Sequence, residues 1–265
     1  MARIKVNPKK LRRYLLLGVL CYILFVFISL PASVLVRQVF AKMEATQKLY
    51  LQNVHGTLWK GESLNAHYGQ VNLGKLDWKL NPFGLLLGNL DLDLRFGQQN
   101  TQGRGELALG FGGKLLVEDV DVRMPAGDLA PLFYGYPAVN FSGNVLGKLN
   151  QLEIKQGSTF KGKGRIVLQQ AQLVAPHNIE LGDLLIELEP QNANTKIAIS
   201  DQGEKGQLKI DLKFEIHGTG KYRWEGTLKP RDMSDEKLAE LLKFIGRADS
   251  NNNYWISRSG QLAGW

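Results

Sequence analysis

From Leu49 onward apolar and polar residues alternate with a period of two, the pattern of strands that bury one face and wet the other. The clearest runs are Leu90, Leu92, Leu94 and Phe96, and Leu208, Ile210, Leu212, Phe214 and Ile216. Leu76, Trp78 and Leu80, then Leu107, Leu109 and Phe111, then Val120, Val122 and Met124, and Leu184, Ile186 and Leu188 repeat it. Turn signals separate these runs at Asn81-Pro82, Gly97 to Asn100, Gly112-Gly113 and Asp201 to Gly203. The pattern predicts a mainly β fold, an elongated, curved antiparallel sheet that meanders and keeps one apolar face.

Before Leu49 the pattern is different. Tyr14 to Val36 contains no charged residue, and as a helix rising about 1.5 Å per residue it is long enough for a hydrocarbon core of roughly 30 Å. We read it as a single transmembrane helix with Tyr14, Leu17, Leu20, Ile23, Phe27 and Val36 along the anchor and Pro31 as a bend in its last third. Arg3, Lys5, Lys9, Lys10, Arg12 and Arg13 precede it, and the first acidic residue is Glu44. By the positive-inside rule Lys9, Lys10, Arg12 and Arg13 hold the N-terminus in the cytoplasm, so everything after Val36 is carried across the membrane. A cleaved signal peptide has a shorter apolar core, about 7–15 residues, and here Arg37 and Lys42 follow the run directly. The expected order is a basic tail (1–13), the membrane helix (14–36), a short helical stalk (37–48) and the β-rich domain (49–265).

Helix signals beyond the stalk are few. Asp128 to Phe133 predicts one turn. Ser234 to Gly246 predicts an amphipathic helix, with Ser234 as N-cap, Asp235 and Glu236 complementing the dipole, and Gly246 at the C-terminal cap. Leu238, Leu241, Leu242 and Ile245 share one face, which is expected to lie on the sheet. Asn251 to Asn253 reads as a turn, and Tyr254 to Ile256 with Gly260 to Leu262 as a last strand or short hairpin.

Sliding the chain by 108 positions aligns Gly56–Pro82 with Gly164–Pro190 without a gap. Leu58 meets Ile166, Val71 meets Ile179, Gly74 meets Gly182, Leu76 meets Leu184, Trp78 meets Ile186 and Pro82 meets Pro190. The shared L-G-x-L-x-x-x-L-x-P favours a duplication, with repeats at about 56–135 and 164–230, over chance agreement of amphipathic strands.

The formal charge is +8, but six of the 33 Lys and Arg stand before Tyr14, leaving 27 against 25 acidic residues beyond it. That balance is not the footprint of a nucleic-acid binder. The single cysteine, Cys21, lies in the apolar run and excludes an intrachain disulfide. Gly157 to Lys163 has phosphate-loop spacing, but Gly164 stands where Ser or Thr must hold magnesium and a strand-like run follows. His55, His67, His177 and His217 lack metal-ligand spacing. Asp91 with Asp93, and Asp119 with Asp121, fall on the polar face of their strands and read as solubilising charges rather than an acid–base pair. No G-x-S-x-G elbow occurs. We expect no enzyme, no cofactor and no metal site.

Val54-His-Gly-Thr-Leu-Trp-Lys-Gly61, Leu76-Asp-Trp-Lys-Leu-Asn-Pro82 and Leu242-Lys-Phe-Ile-Gly246 with Asp249 and Gly260-Gln-Leu262 resemble the protein N family of the bacterial type II (general) secretion pathway. The likeness is carried by Gly56, Thr57, Trp59, Gly61, Trp78 and Pro82, and it departs where Asn251 to Asn253 replace an Asp-Gly pattern. It implies an inner-membrane accessory component in export of folded proteins, acting through protein–protein contacts with other inner-membrane components and the outer-membrane secretin. It brings no catalytic residues. Trp59, Trp78, Trp224 and Trp255 are candidate buried anchors for partners or core. The alternative is an envelope lipid-handling scaffold whose apolar groove, lined by Leu85, Leu86, Leu87 and the strand leucines, cradles acyl chains.

Overall fold

A computed structural model of the chain describes residues 8–33, 49–110, 112–133, 140–175, 178–232 and 234–262. Within them lies one antiparallel sheet of 14 strands whose order in space is nearly the order in sequence. The strands are β1 (Leu49–Gly56), β2 (Lys60–Tyr68), β3 (Val71–Asn81), β4 (Asn89–Gln98), β5 (Thr101–Gly110), β6 (Lys114–Pro125) and β7 (Asn140–Lys155). They continue as β8 (Thr159–Ala175), β9 (Ile179–Gln191), β10 (Asn194–Gln202), β11 (Leu208–Ile216), β12 (Lys221–Pro230), β13 (Arg247–Ala248) and β14 (Tyr254–Gln261). Only the end breaks the meander, because β14 pairs with β12 and β13 lies outside it. Short polar and glycine turns force each strand back beside its predecessor, so local pairing alone sets this topology.

The expected alternation is realised as cross-strand rows. Leu76, Phe96, Gly103, Val122, Gly147, Ile166, Ile186, Ile199, Leu212, Gly226 and Ile256 face one another in succession from β3 to β14. Every member is apolar or glycine. A Cβ on Gly103 would fall on the Phe96 ring, so glycine there leaves room for the larger neighbour. On the opposite face, Asp93 pairs in register with Glu106, and Arg104 with Asp121.

Helices close parts of the apolar face. The 3₁₀ helix Ala126–Phe133 follows β6 and is tied to β5 where Thr101 Oγ1 donates to Asp128 at 2.9 Å. The amphipathic helix is Glu236–Ile245, and it seats Leu238 and Leu242 in a core with Leu184, Leu208, Ile210, Leu228, Tyr254 and Ile256. Its cap differs from the sequence expectation. Asp235, not Ser234, is the N-cap and accepts from the Leu238 amide at 3.0 Å, while Ser234 is engaged by Asp232. Gly246 ends the helix in extended backbone at φ −163°, which any residue adopts, so this glycine is not the left-handed cap. A short helix α2 (Pro82–Leu86) replaces the expected Asn81-Pro82 turn. Leu85, Leu86 and Leu87 therefore lie at the end of the sheet rather than in a row on its face, and Leu87 is 82% exposed.

The N-terminal helix, α1, spans Pro8–Ile28. Its side chains from Tyr14 to Ile28 are apolar and exposed all round: the consecutive Leu15, Leu16 and Leu17 are 64%, 67% and 59% exposed. The helix stops at Ile28, short of the expected Val36, because Pro31 offers no amide and disfavours helical backbone at Leu30. Pro31 thus terminates rather than bends it, forming an isolated bridge with Thr57. Among the described residues no helix is long and apolar enough to cross a membrane. Val36, the stalk and His177 lie outside the described residues.

The two segments of the expected repeat share backbone detail. Gly74 and Gly182 have φ of +71° and +73°, and each sits at a bulge opposite a buried alanine, Ala66 and Ala171. The ungapped alignment holds after the hairpin turn but not before it, since Ala66 corresponds to Ala171 rather than to Val174. The second hairpin has the longer connection.

Candidate functional site at the helix and sheet corner

Gly56, Thr57, Trp59, Gly61 and Trp78 meet at the β1–β2 turn. Gly56 has φ +90°, and a Cβ there would come within 2.6 Å of the Lys60 carbonyl, so the turn tolerates only glycine. The Thr57 amide donates to the Lys60 carbonyl at 2.9 Å, and the Lys60 amide donates back to Thr57 Oγ1 at 3.2 Å. Trp78 Nε1 donates to the Leu58 carbonyl at 3.1 Å. The Trp78 ring covers Gly61 closely enough that a Cβ at 61 would overlap Trp78 and approach the His55 carbonyl at 2.7 Å.

The same turn receives the end of α1. Trp59 Nε1 donates to the Phe27 carbonyl at 2.9 Å, and the two rings lie 4.6 Å apart, tilted by 56°. The Leu58 amide donates to the Leu30 carbonyl at 2.8 Å. A helix leaves its last four carbonyls without internal partners, and this turn supplies one of the missing donors. The Leu80 amide donates to the Trp59 carbonyl at 2.8 Å, and the chain then enters α2 through Asn81, whose Oδ1 accepts from the Phe83 amide at 3.1 Å. Pro82 occupies the first turn, where a missing amide costs nothing. The corner joins an apolar helix to a sheet.

Sequence reasoning singled out Trp59 and Trp78 but missed their contacts with Phe27 and Leu58, which are carbonyl contacts that no residue type advertises. It also missed exposed Phe83 and read Leu87, which is exposed, as groove lining, in the run Pro82-Phe-Gly-Leu-Leu-Leu-Gly88.

The remaining candidates are scattered. Trp224 is half-buried and stacks with Phe214 at 5.6 Å, whereas Trp255 is 60% exposed and is no buried anchor. Asp93, Asp119 and Asp121 share an open depression with Arg95, Arg104, Glu106 and Lys148, and Asp119, at φ +49°, bulges out of the ladder rather than alternating with Asp121. Gly157 lies in the β7–β8 turn, and a strand follows it. Among the described residues no three His, Cys, Asp or Glu are grouped to hold a metal ion.

Two carboxylate clusters have physical consequences. Lys75 lies between Glu62 (2.8 Å) and Asp77 (3.1 Å) on the polar face, and the hydrogen bonds it donates to Glu62 first and Asp77 second raise its pKa. Asp249 accepts from Asn253 and from the Asn251 amide. These bonds, the Asn253 side chain's foremost, lower its pKa from 3.8 to about 2.

A family model for the type II secretion system (T2SS), protein N, matches residues 47–257. The type II secretion system protein N of Aeromonas hydrophila is 26% identical over 252 residues, covering 93% of this chain and 96% of that one. Its counterpart from Vibrio cholerae is 23% identical over 241 residues, covering 89% and 93%. That of Klebsiella pneumoniae is 23% identical over 241 residues, covering 86% and 87%. No solved structure matches the chain. The match spans the sheet from the β1–β2 corner into β14, and the chain belongs to the type II secretion system protein N family.

Proposed function

We propose that this secretion-system component is held at the inner membrane by α1, with its N-terminus cytoplasmic and its sheet periplasmic, and promotes export of folded proteins through protein–protein contacts. The observation that carries the contact reading is a pair of open sheet edges. Among the described residues β1 pairs only with β2, and β14 is covered by β13 at Tyr254 and Trp255 alone. An open edge adds a partner's strand through main-chain hydrogen bonds. The partners fitting this reading are other inner-membrane components and the outer-membrane secretin. The anchor reading is supported by the apolar surface on every side of α1 and by Lys9, Lys10, Arg12 and Arg13 in its first turns. The chain acts as a scaffold rather than an enzyme, and its two-repeat organisation is supported by the paired bulges at Gly74 and Gly182.

The test is crosslinking in cells from cysteines placed at Ser257 and Ser259 on the open side of β14, with Cys21 replaced by Ser. Capture of secretion components is expected, together with reduced exoprotein export when the gene is deleted. Unchanged export with no secretion component captured refutes the reading.

A second reading, a lipid-handling scaffold, is favoured by the unbroken apolar row from Leu76 to Ile256. Leu238 and Leu242 already occupy its C-terminal part, so acyl chains would have only the remainder. Absence of bound phospholipid in mass spectra of gently extracted protein eliminates it.

A further inference from the structure

Given the reading of α1 as a membrane anchor, we propose that α2 is a second, peripheral point of membrane attachment: Phe83 and Leu87 dip into the interfacial layer of the bilayer that holds α1, so that the sheet meets the lipid end-on. Three observations converge on it.

First, Phe83 in α2 and Leu87 at its C-terminal cap are 72% and 82% exposed. Large apolar side chains at that exposure on adjacent turns mark a surface made to be covered.

Second, the occupant is identified by continuity with α1. The corner fixes the end of α1 to Trp59 through Phe27, and the Trp59 carbonyl takes the Leu80 amide. Only Asn81 and Pro82 separate Leu80 from Phe83, a chain path of at most about 11 Å. The chain therefore enters α2 from the segment that the corner ties to the end of α1. A lipid phase that surrounds α1 is the nearest apolar medium available to α2.

Third, the flanking charge is arranged against the stability of the sheet. Lys60 and Lys79 stand directly opposite each other on β2 and β3, a like-charge pair that destabilises a ladder. Neither joins an ion pair found among the described residues, although Lys79 faces Asp93 on its other side. Phe83 also shares its depression with Asp91, Asp93, Glu106 and Glu118, so the two lysines offer single contacts to lipid phosphates rather than a basic surface, and the apolar side chains carry the attachment.

The experiment uses the full chain reconstituted in vesicles of three parts phosphatidylethanolamine to one part phosphatidylglycerol, with an environment-sensitive fluorophore on one cysteine at a time. The sites are native Cys21, which is exposed on α1, Phe83→Cys and Val174→Cys, the last two with Cys21→Ser. Val174 is also exposed but lies at the opposite end of the sheet, beside the β8–β9 connection. Labels at 21 and 83 are expected to be quenched by brominated lipid and protected several-fold from aqueous iodide relative to the label at 174. A label at 83 as open to iodide as that at 174, while Cys21 is lipid-quenched, overturns the α2 proposal and leaves the anchor standing. Protection at 83 from iodide without lipid quenching also overturns it, because a protein surface then covers α2. A label at Cys21 that is open to iodide and unquenched by lipid overturns the anchor and this proposal together.

Discussion

Trp59 reaches back 32 residues to donate its indole Nε1 to the Phe27 carbonyl at 2.9 Å, with the two rings 4.6 Å apart. One side chain thereby caps the end of α1 and packs a tilted ring against it. The hydrogen bond contributes about 1 kcal/mol, and the aromatic pair roughly 0.5–1.5 kcal/mol beyond the area it buries. Trp59→Phe is expected to lose the first contribution and Trp59→Ala both. A double-mutant cycle with Phe27→Ala, read by chemical denaturation of the detergent-solubilised chain, checks it. Additive effects would show the contact to be idle.

Gly61 lies beneath the Trp78 ring. A methyl group there overlaps the ring and presses on the His55 carbonyl, and overpacking of this kind costs about 1–3 kcal/mol. Gly61→Ala is expected to lower the Tm by several degrees, whereas Gly112→Ala, with nothing within 4 Å of the new methyl, is expected to leave it unchanged.

Leu242 is 2% exposed at the centre of the C-terminal core. Leu242→Ala removes three buried carbons whose packing the sheet cannot replace by collapse, and it is expected to cost about 2–5 kcal/mol. Thermal unfolding should show that loss, while Lys243→Ala, on the exposed side of the same helix, should cost less than about 0.5 kcal/mol.

The Leu262 amide donates to the Gly220 carbonyl, which fixes the phase of the β12–β14 ladder. In an antiparallel pair, alternate residues bond inward, so Ser257 and Ser259 present their amides to the open side. Ser259→Pro removes an outward donor without touching the ladder. It is expected to preserve the circular dichroism spectrum and to abolish crosslinking of a partner strand at β14. Crosslinking that survives Ser259→Pro at wild-type yield rejects strand addition at this edge.

Asp249 has a pKa of about 2 in the folded chain against an ordinary 3.8. A group depressed by folding contributes stability that is complete above its unfolded pKa and is lost as pH falls through the folded one. The Asp249 turn is therefore expected to loosen between about 3.8 and 2 and to be indifferent to pH near neutrality. Carboxyl NMR of Asp249 follows the titration directly, and Asp249→Asn should remove that part of the acid dependence.

Much of the sheet was legible because a strand states its faces locally. Leu208 to Ile216 alternate in sequence and face Pro230 to Tyr222 in the same alternation. What periodicity could not supply was the outcome of competition. Ser234 and Asp235 are both good caps, and only the position of Leu238 in the core selects Asp235. Leu85 to Leu87 read equally as groove lining or as an exposed turn until Asn81 and Pro82 start a helix there. The corner was legible as a cluster of motif residues but not as a joint, since its bonds run to main-chain carbonyls.

By itself the sequence determined an apolar N-terminal helix with cations before it, a meandering antiparallel sheet with one apolar face, and membership of a secretion family. The first two follow from periodicity, charge placement and short-range turns, each of which acts within a few residues, and the last from motif likeness and the match over residues 47–257. Only the tertiary structure decided where α1 ends, that Trp59 ties it to the sheet while Trp78 braces the turn at Leu58, that Phe83 and Leu87 are left bare, and which edges stay open. Those outcomes depend on which donors and apolar surfaces find partners across tens of residues, and burial settles that once for the whole chain.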